Sequence, residues 1–206
     1  MHVSSFSPIL HLEFDTQGEL ALSMCRIQEF YESANHILFR KYFTLHTFLE
    51  QSMNEDGSIT YFSDWSGFNM PANIVWDFRE LFKDDLSPAE RWILHFTEYY
   101  KARYVVANVR GDNATAQHEF VHAQYFIDTD YRTQVNHLIH ETIDGSLYLR
   151  LFDTFDKMGY NRHVFYDEIN AFVSCEEAWD CLGIEVPREI TERFVALRKL
   201  HVPEVV

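Results

Sequence analysis

Basic residues are scarce in this chain: 17 Lys and Arg stand against 32 Asp and Glu, a formal charge of −15 at pH 7. A surface of that sign repels nucleic-acid phosphates and anionic lipid headgroups, so neither nucleic acid nor a membrane is expected as a partner. Cysteine is scarce as well. Cys25, Cys175 and Cys181 make neither a C-x-x-C pair nor an even framework, and reduced thiols in a reducing compartment are the expectation. No run approaches the roughly 18 consecutive apolar residues that a membrane span needs. The start, Met1-His2-Val3-Ser4-Ser5, has no basic segment followed by an apolar one, so a soluble cytoplasmic protein without a cleaved leader is expected. Export by a route that uses no cleaved signal stays open. Internal repeats, low-complexity tracts and long linkers are missing too.

What is present is the composition of a globular protein: 206 residues, 47% hydrophobic and 16% aromatic, enough for one domain with its own core. Ile9 to Asp15 alternates as a strand does, with Gln17-Gly18 after it as a turn. Helical spacing follows over Leu20 to Tyr31 and over Leu45 to Met53. Ile59 to Phe62 reads as a short strand and Ser63 to Asn69 as a polar-aromatic loop, suited equally to lining a cleft or to a surface turn. Ala72 to Lys83 is helical. Ser87-Pro88-Ala89-Glu90 has the pattern of a capping box and should start a helix running to about Tyr100. Tyr104 to Val109 is β-branched and reads as a strand; Asn113 then caps the next helix. Further helices are expected over Asp130 to Thr142, Ser146 to Lys157, Val164 to Ser174 and Arg188 to His201. The fold class that results is α+β and predominantly helical. Residues 1–113 form a mixed front part and 114–206 a helical part, with a cleft between.

Chemistry concentrates in His118-Glu119-Phe120-Val121-His122. On a helix, four residues turn through about 400°, so both imidazoles leave one face about 6 Å apart along the axis and can share a zinc ion. Glu119 lies about 100° round from His118, able to reach a water on that metal without binding the metal itself. At this composition about 0.05 such matches are expected by chance. The placement after a strand and inside a predicted helix lowers that risk further.

The segment resembles the active-site helix of the zincin metallopeptidases, in which H-E-x-x-H lies beside a small sheet. The likeness is specific over five residues and is supported over about residues 100–175. The metzincin branch would require Gly where Tyr125 stands and a ligand at Asp128; without the glycine turn the helix carries Asp128 to another side, which sets that branch aside. The gluzincin branch takes a Glu from a later helix. Glu141, 19 residues beyond His122, and Glu168, 46 beyond, compete for that place. Glu168 shares a helical face with Phe172 and should point inward, where a carboxylate needs a metal or a partner; Glu141 sits near a helix end and can be solvated. Glu168 is therefore favoured. Asp167-Glu168-Ile169-Asn170-Ala171-Phe172 is also similar to the third-ligand helix of small gluzincin-like proteins. It departs from the best-known pattern in Asp167, where Asn is usual, and in Phe172, where an acidic residue would orient a histidine.

The resemblance implies a zincin-like fold, a Zn2+ cofactor held by His118, His122 and Glu168, and a peptide or protein substrate. Glu119 would be the general base, with Tyr160, His163 or Tyr166 donating to the oxyanion. Two other readings of the chain stand beside this one. The first is a zincin-like domain that binds zinc without turnover; the second is a metal-free acidic interaction or inhibitor protein that presents its charge to a basic partner. Oligomeric state is not legible.

Overall fold

The computed structural model describes residues 1–204. Four strands, β1 (His2–Phe6), β2 (Ile9–Phe14), β3 (Gly67–Pro71) and β4 (Tyr104–Val109), form one mixed sheet in the order β1-β2-β4-β3. Parallel pairing joins β2 to β4, with Ile9 opposite Tyr104 and Phe14 opposite Val109; the outer strands β1 and β3 run antiparallel to their neighbours. The helices are α1 (Gln17–Glu32), α2 (Leu45–Gln51), α3 (Tyr61–Asp64), α4 (Ala72–Phe82), α5 (Pro88–Tyr99), α6 (Asn113–Ile127), α7 (Thr129–Thr142), α8 (Gly145–Met158), α9 (Phe165–Ser174), α10 (Ala178–Leu182) and α11 (Arg188–His201). The molecule is thus α+β and mostly helical, as the sequence patterns suggest.

Strand periodicity divides the core in two. Leu10, Leu12, Val105 and Ala107 face one cluster, built with α1, α4 and α5, while Ile9, Tyr104 and Val106 face the other, built with α6, α7, α8, α9 and α11. Because successive strand residues point to opposite faces, a sheet with apolar residues on both must be covered on both. That explains why β2 and β4 are almost continuously buried. The capping box at Ser87 forms as the sequence suggests, with Ser87 Oγ accepting from Glu90 N at 3.2 Å and Glu90 Oε2 accepting from Ser87 N at 2.7 Å.

Several local expectations need correction. Gln17-Gly18 is the first turn of α1, because Thr16 Oγ1 accepts from Glu19 N and caps the helix early. Ile59 to Phe62 is not a strand: Tyr61 and Phe62 begin the single turn of α3 and pack their rings on Phe48. The loop over Ser63 to Asn69 ends sooner than expected, since Gly67 to Asn69 pair with Val106 to Asn108 as the start of β3. β1 carries no clear apolar alternation and forms because β2 offers it an open edge. Asp112, one residue before Asn113, caps α6 through Thr115 N. All three cysteines are free. No helix among the described residues is long and apolar enough to cross a membrane.

Candidate metal centre

Helix α6 lies between β4 and β3 on one side and α9 on the other, which buries every residue from Ala116 to Ala123. Its two histidines are therefore held deep in the protein, His118 8% and His122 2% exposed, with ring centroids 5.0 Å apart. Asp128, the position the metzincin pattern would use, instead ends α6 and caps α7, accepting from Asp130 N and Tyr131 N.

Each histidine has one nitrogen against a carboxylate. His118 Nδ1 lies 2.6 Å from Glu177 Oε2, in hydrogen-bond geometry. His122 Nδ1 lies 3.0 Å from Asp167 Oδ1, a contact whose angles fall short of a hydrogen bond and which leaves both atoms otherwise unpartnered. A neutral imidazole that offers its Nδ1–H to a carboxylate presents its lone pair at Nε2. His122 Nε2 is turned toward Glu168, 3.9 Å from Oε1. One ligating atom from each of His118, His122 and Glu168 lies within 4.8 Å of the others, so these three could hold a single metal ion.

Glu168 is 1% exposed, and its Oε2 has no hydrogen-bond partner. Burial, and then the neighbouring charges of Glu32, Asp167 and Glu119, push its carboxyl well above the usual range. A carboxylate so placed costs several kcal/mol unless something neutralises it. Glu141, the rival ligand, is on the surface of α7, where Arg193 Nη2 reaches it at 3.0 Å and His137 Nδ1 at 3.5 Å.

Glu119 reaches the same space from the adjacent position on the helix. Its Oε2 accepts from Asn69 Nδ2 at 2.8 Å, and Asn69 Oδ1 accepts in turn from Tyr104 OH at 2.5 Å. These buried links fix the carboxylate from the sheet side. Gly67 matters for the same reason: a Cβ there would collide with the Glu119 carboxylate and the Thr115 methyl. Burial pushes the Glu119 carboxyl up to about 7, against the lowering influence of His118 and of the Asn69 hydrogen bond. A buried group near neutrality can take up and release a proton at physiological pH.

His118, His122, Glu119 and Glu168 all line a cavity of about 410 Å³, together with Glu32 and Tyr160. Tyr160 is half-buried, and the desolvation of its hydroxyl raises the phenol well above the usual value, so it remains a hydrogen-bond donor. His163 and Tyr166 do not line this cavity. His163 packs on the rings of Tyr31 and Phe39, and Tyr166 on His140, Tyr148 and Phe152. The turn before α9 separates the three, which adjacency in sequence cannot reveal. Phe172 sets its ring edgewise against His118 with centroids 4.8 Å apart.

Sequence reasoning left the histidine partners unassigned and missed Asn69. Asp167 was noted only as a departure beside Glu168, with no part in orienting a histidine; Glu177 gave no signal at all. It reaches His118 because α9 ends in a turn in which Glu176 takes φ +65° and Glu177 N donates to Phe172 O, a left-handed conformation rarely chosen by Glu. A second group, His118, Cys175 and Glu177, also lies within ligating distance. Burial, and then the charge of Glu177, pushes the Cys175 thiol up to about 12, so a metal bound there would have to displace its proton. No protein-family profile, curated protein or solved structure matches this chain. The geometry of the site carries the functional reading by itself.

Proposed function

We propose that the protein is a zinc-dependent hydrolase, a metallopeptidase of gluzincin-like type, acting on peptide or protein substrates. The observation that carries the reading is the convergence of His118, His122 and Glu168 beside Glu119 in one cavity, with a carboxylate against the far nitrogen of each histidine. Two neutral imidazoles and a carboxylate are a donor set suited to catalytic zinc, and the unpartnered Glu168 Oε2 fits a cation. A helix bearing H-E-x-x-H packed on a small mixed sheet supports a zincin-like fold.

Bound zinc supplies Lewis-acid chemistry: it polarises a carbonyl and acidifies water. The chain's own groups do the rest. Glu177 and Asp167 orient the imidazoles and make them better donors. Glu119, held at Oε2 by Asn69, takes a proton from the attacking water and delivers it to the leaving amine. Tyr160, lining the same cavity, can donate its hydroxyl to the oxygen on which negative charge develops. Burial of His118, Glu119, His122 and Glu168 keeps their interactions strong.

Metal analysis of the purified protein and of the Glu119→Gln variant tests this. Wild type should contain about one zinc per chain. Glu119→Gln should keep its zinc, yet its peptide turnover should fall by about 10²–10⁴-fold. Zinc with no peptide turnover in wild type would favour a zincin-like binding protein, and absence of stoichiometric metal would favour a metal-free acidic interaction protein.

A further inference from the structure

The metal centre leaves one buried carboxylate of the cavity unexplained. Glu168 belongs to the centre, Glu177 meets His118, and Glu119 is bonded by Asn69. Ser33 and Tyr61 stand beside the Glu29 carboxyl and favour its charged form against the burial that raises it. Glu32, at the last turn of α1, is different. It is 5% exposed and makes no ion pair among the described residues, and its carboxylate accepts one side-chain hydrogen bond, from Gln28 Nε2 to Oε2 at 2.5 Å. It stands outside both groups of side chains close enough to hold a metal ion.

Gln28 makes the same corner short of donors. Its amide nitrogen is committed to Glu32, which fixes the orientation of the amide, and its Oε1 is buried without a partner. Glu32 and Gln28 both line the cavity that holds the candidate metal centre, and among the described residues no Lys or Arg lines it. A buried anion and a buried acceptor are each costly when unmatched. A group that brings both positive charge and several N–H donors satisfies the two together. The rings of Tyr61, Trp65 and Tyr160 along the same walls suit such a cation as well. The −15 charge of the chain raises the local concentration of cations in general.

We propose that Glu32 and Gln28 form a binding site for a cationic nitrogen of the substrate, an ammonium or guanidinium group, and so select substrates that carry a positive charge near the bond to be cleaved. That the occupant is a substrate rests on the hydrolase reading; the affinity for a cation does not. The nitrogen can come from a peptide's free α-amine or from a Lys or Arg side chain, and the two are separated by the probes.

The test is calorimetric titration of zinc-supplemented and of chelator-treated protein with four small amides. Alanine amide carries only an α-ammonium, N-acetyl-lysine amide and N-acetyl-arginine amide carry only a side-chain cation, and N-acetyl-norleucine amide is the neutral control. At least one charged probe should bind about tenfold or more tighter than the neutral one, with and without the metal. Which probe wins identifies the source of the nitrogen. Glu32→Gln should abolish the preference while leaving zinc content unchanged. Should that variant fail to fold, Gln28→Met, at a half-buried position, should reduce the preference, and the shift of the Gln28 amide NMR signals in wild type should follow the charged probe alone. Equal binding of charged and neutral probes, or a preference that survives Glu32→Gln, overturns the inference. Zinc content separates the two failures: a charge preference without stoichiometric zinc defeats the hydrolase reading alone, and zinc without a charge preference defeats this inference alone.

Discussion

Two clusters of charge are buried in this protein, and they are built differently. Among α1, α4 and α5, Arg26 is 4% exposed and every direction of its guanidinium is answered. Nε and Nη2 donate to Glu90 at 2.8 and 2.7 Å, Nη1 to Asp85 Oδ2 at 2.7 Å and Nη2 to Asp85 O at 2.7 Å, over the rings of Phe78 and Phe82. Glu90 also closes the capping box of α5. Between α1, α6 and α9, by contrast, Glu32 and Glu168 are as deeply buried and, among the described residues, meet no Arg or Lys. The first cluster closes its own charges and needs nothing from outside. The second is balanced only when its carboxyls take up protons or something cationic is added, an arrangement that is common where a protein binds a ligand.

The contrast can be broken from either side. The largest effect should come from Arg26→Met, which strands Glu90 as a buried unpaired charge. Stability measured by denaturant unfolding should fall by about 3–5 kcal/mol, with zinc content per folded chain unchanged. A loss of zinc at equal folding would mean that the clusters are coupled.

Next in size are the two rival glutamates. Glu168→Ala should weaken zinc binding by more than about 100-fold in competition with a chelating dye, because a direct ligand is worth more than its supports. Glu141→Ala, which breaks only exposed ion pairs with Arg193 and His137, should leave it nearly unchanged. The reverse order would move the third ligand to Glu141.

Glu177→Gln and Asp167→Asn test the histidine supports. Each keeps the shape of the side chain and removes its charge, and each should lower zinc affinity by about 10–100-fold. Of the two, Glu177→Gln should cost more, since the Glu177 contact already has hydrogen-bond geometry and the Asp167 contact does not.

The smallest effect is a pH trend. Burial raises the Glu119 carboxyl from 4.5 to about 7 and pushes those of Glu32 and Glu168 well above 4.5. The folded state then binds protons more tightly than the unfolded chain, so the metal-free protein loses stability as pH rises from about 4.5 through 7 and beyond. A cation in the site replaces those protons. The thermal midpoint gained by adding zinc to chelator-treated protein should therefore grow over that range; a gain that shrinks with rising pH would contradict the assignment.

Local pattern made much of this molecule readable. The capping box at Ser87, the apolar spacing of α4 and the β-branched run of β4 act within a few residues, where capping and side-chain periodicity operate; the Thr16 cap of α1, hidden behind the turn-like Gln17-Gly18, was not read. The same is true of His118, Glu119 and His122, which one helix brings together, and of Glu168, whose apolar neighbours turned it inward. β1 and β3 were lost because both are edge strands, formed by the open hydrogen-bonding edges of β2 and β4 rather than by their own residues.

By itself, then, the sequence determined the α+β composition of the chain, most of its helices, and the pair of histidines with the glutamate between them, since each depends on contacts three or four residues apart. Only the tertiary structure decided which of Glu141 and Glu168 meets those histidines, that Glu177 and Asp167 stand behind them, that Asn69 holds Glu119, and that Tyr160 rather than His163 or Tyr166 lines the cavity. The separations involved, 50 residues between Asn69 and Glu119 and 59 between His118 and Glu177, are closed by sheet pairing and by a left-handed turn. Neither leaves a periodic trace in the chain, because the free energy that fixes them comes from burial and pairing across the whole fold.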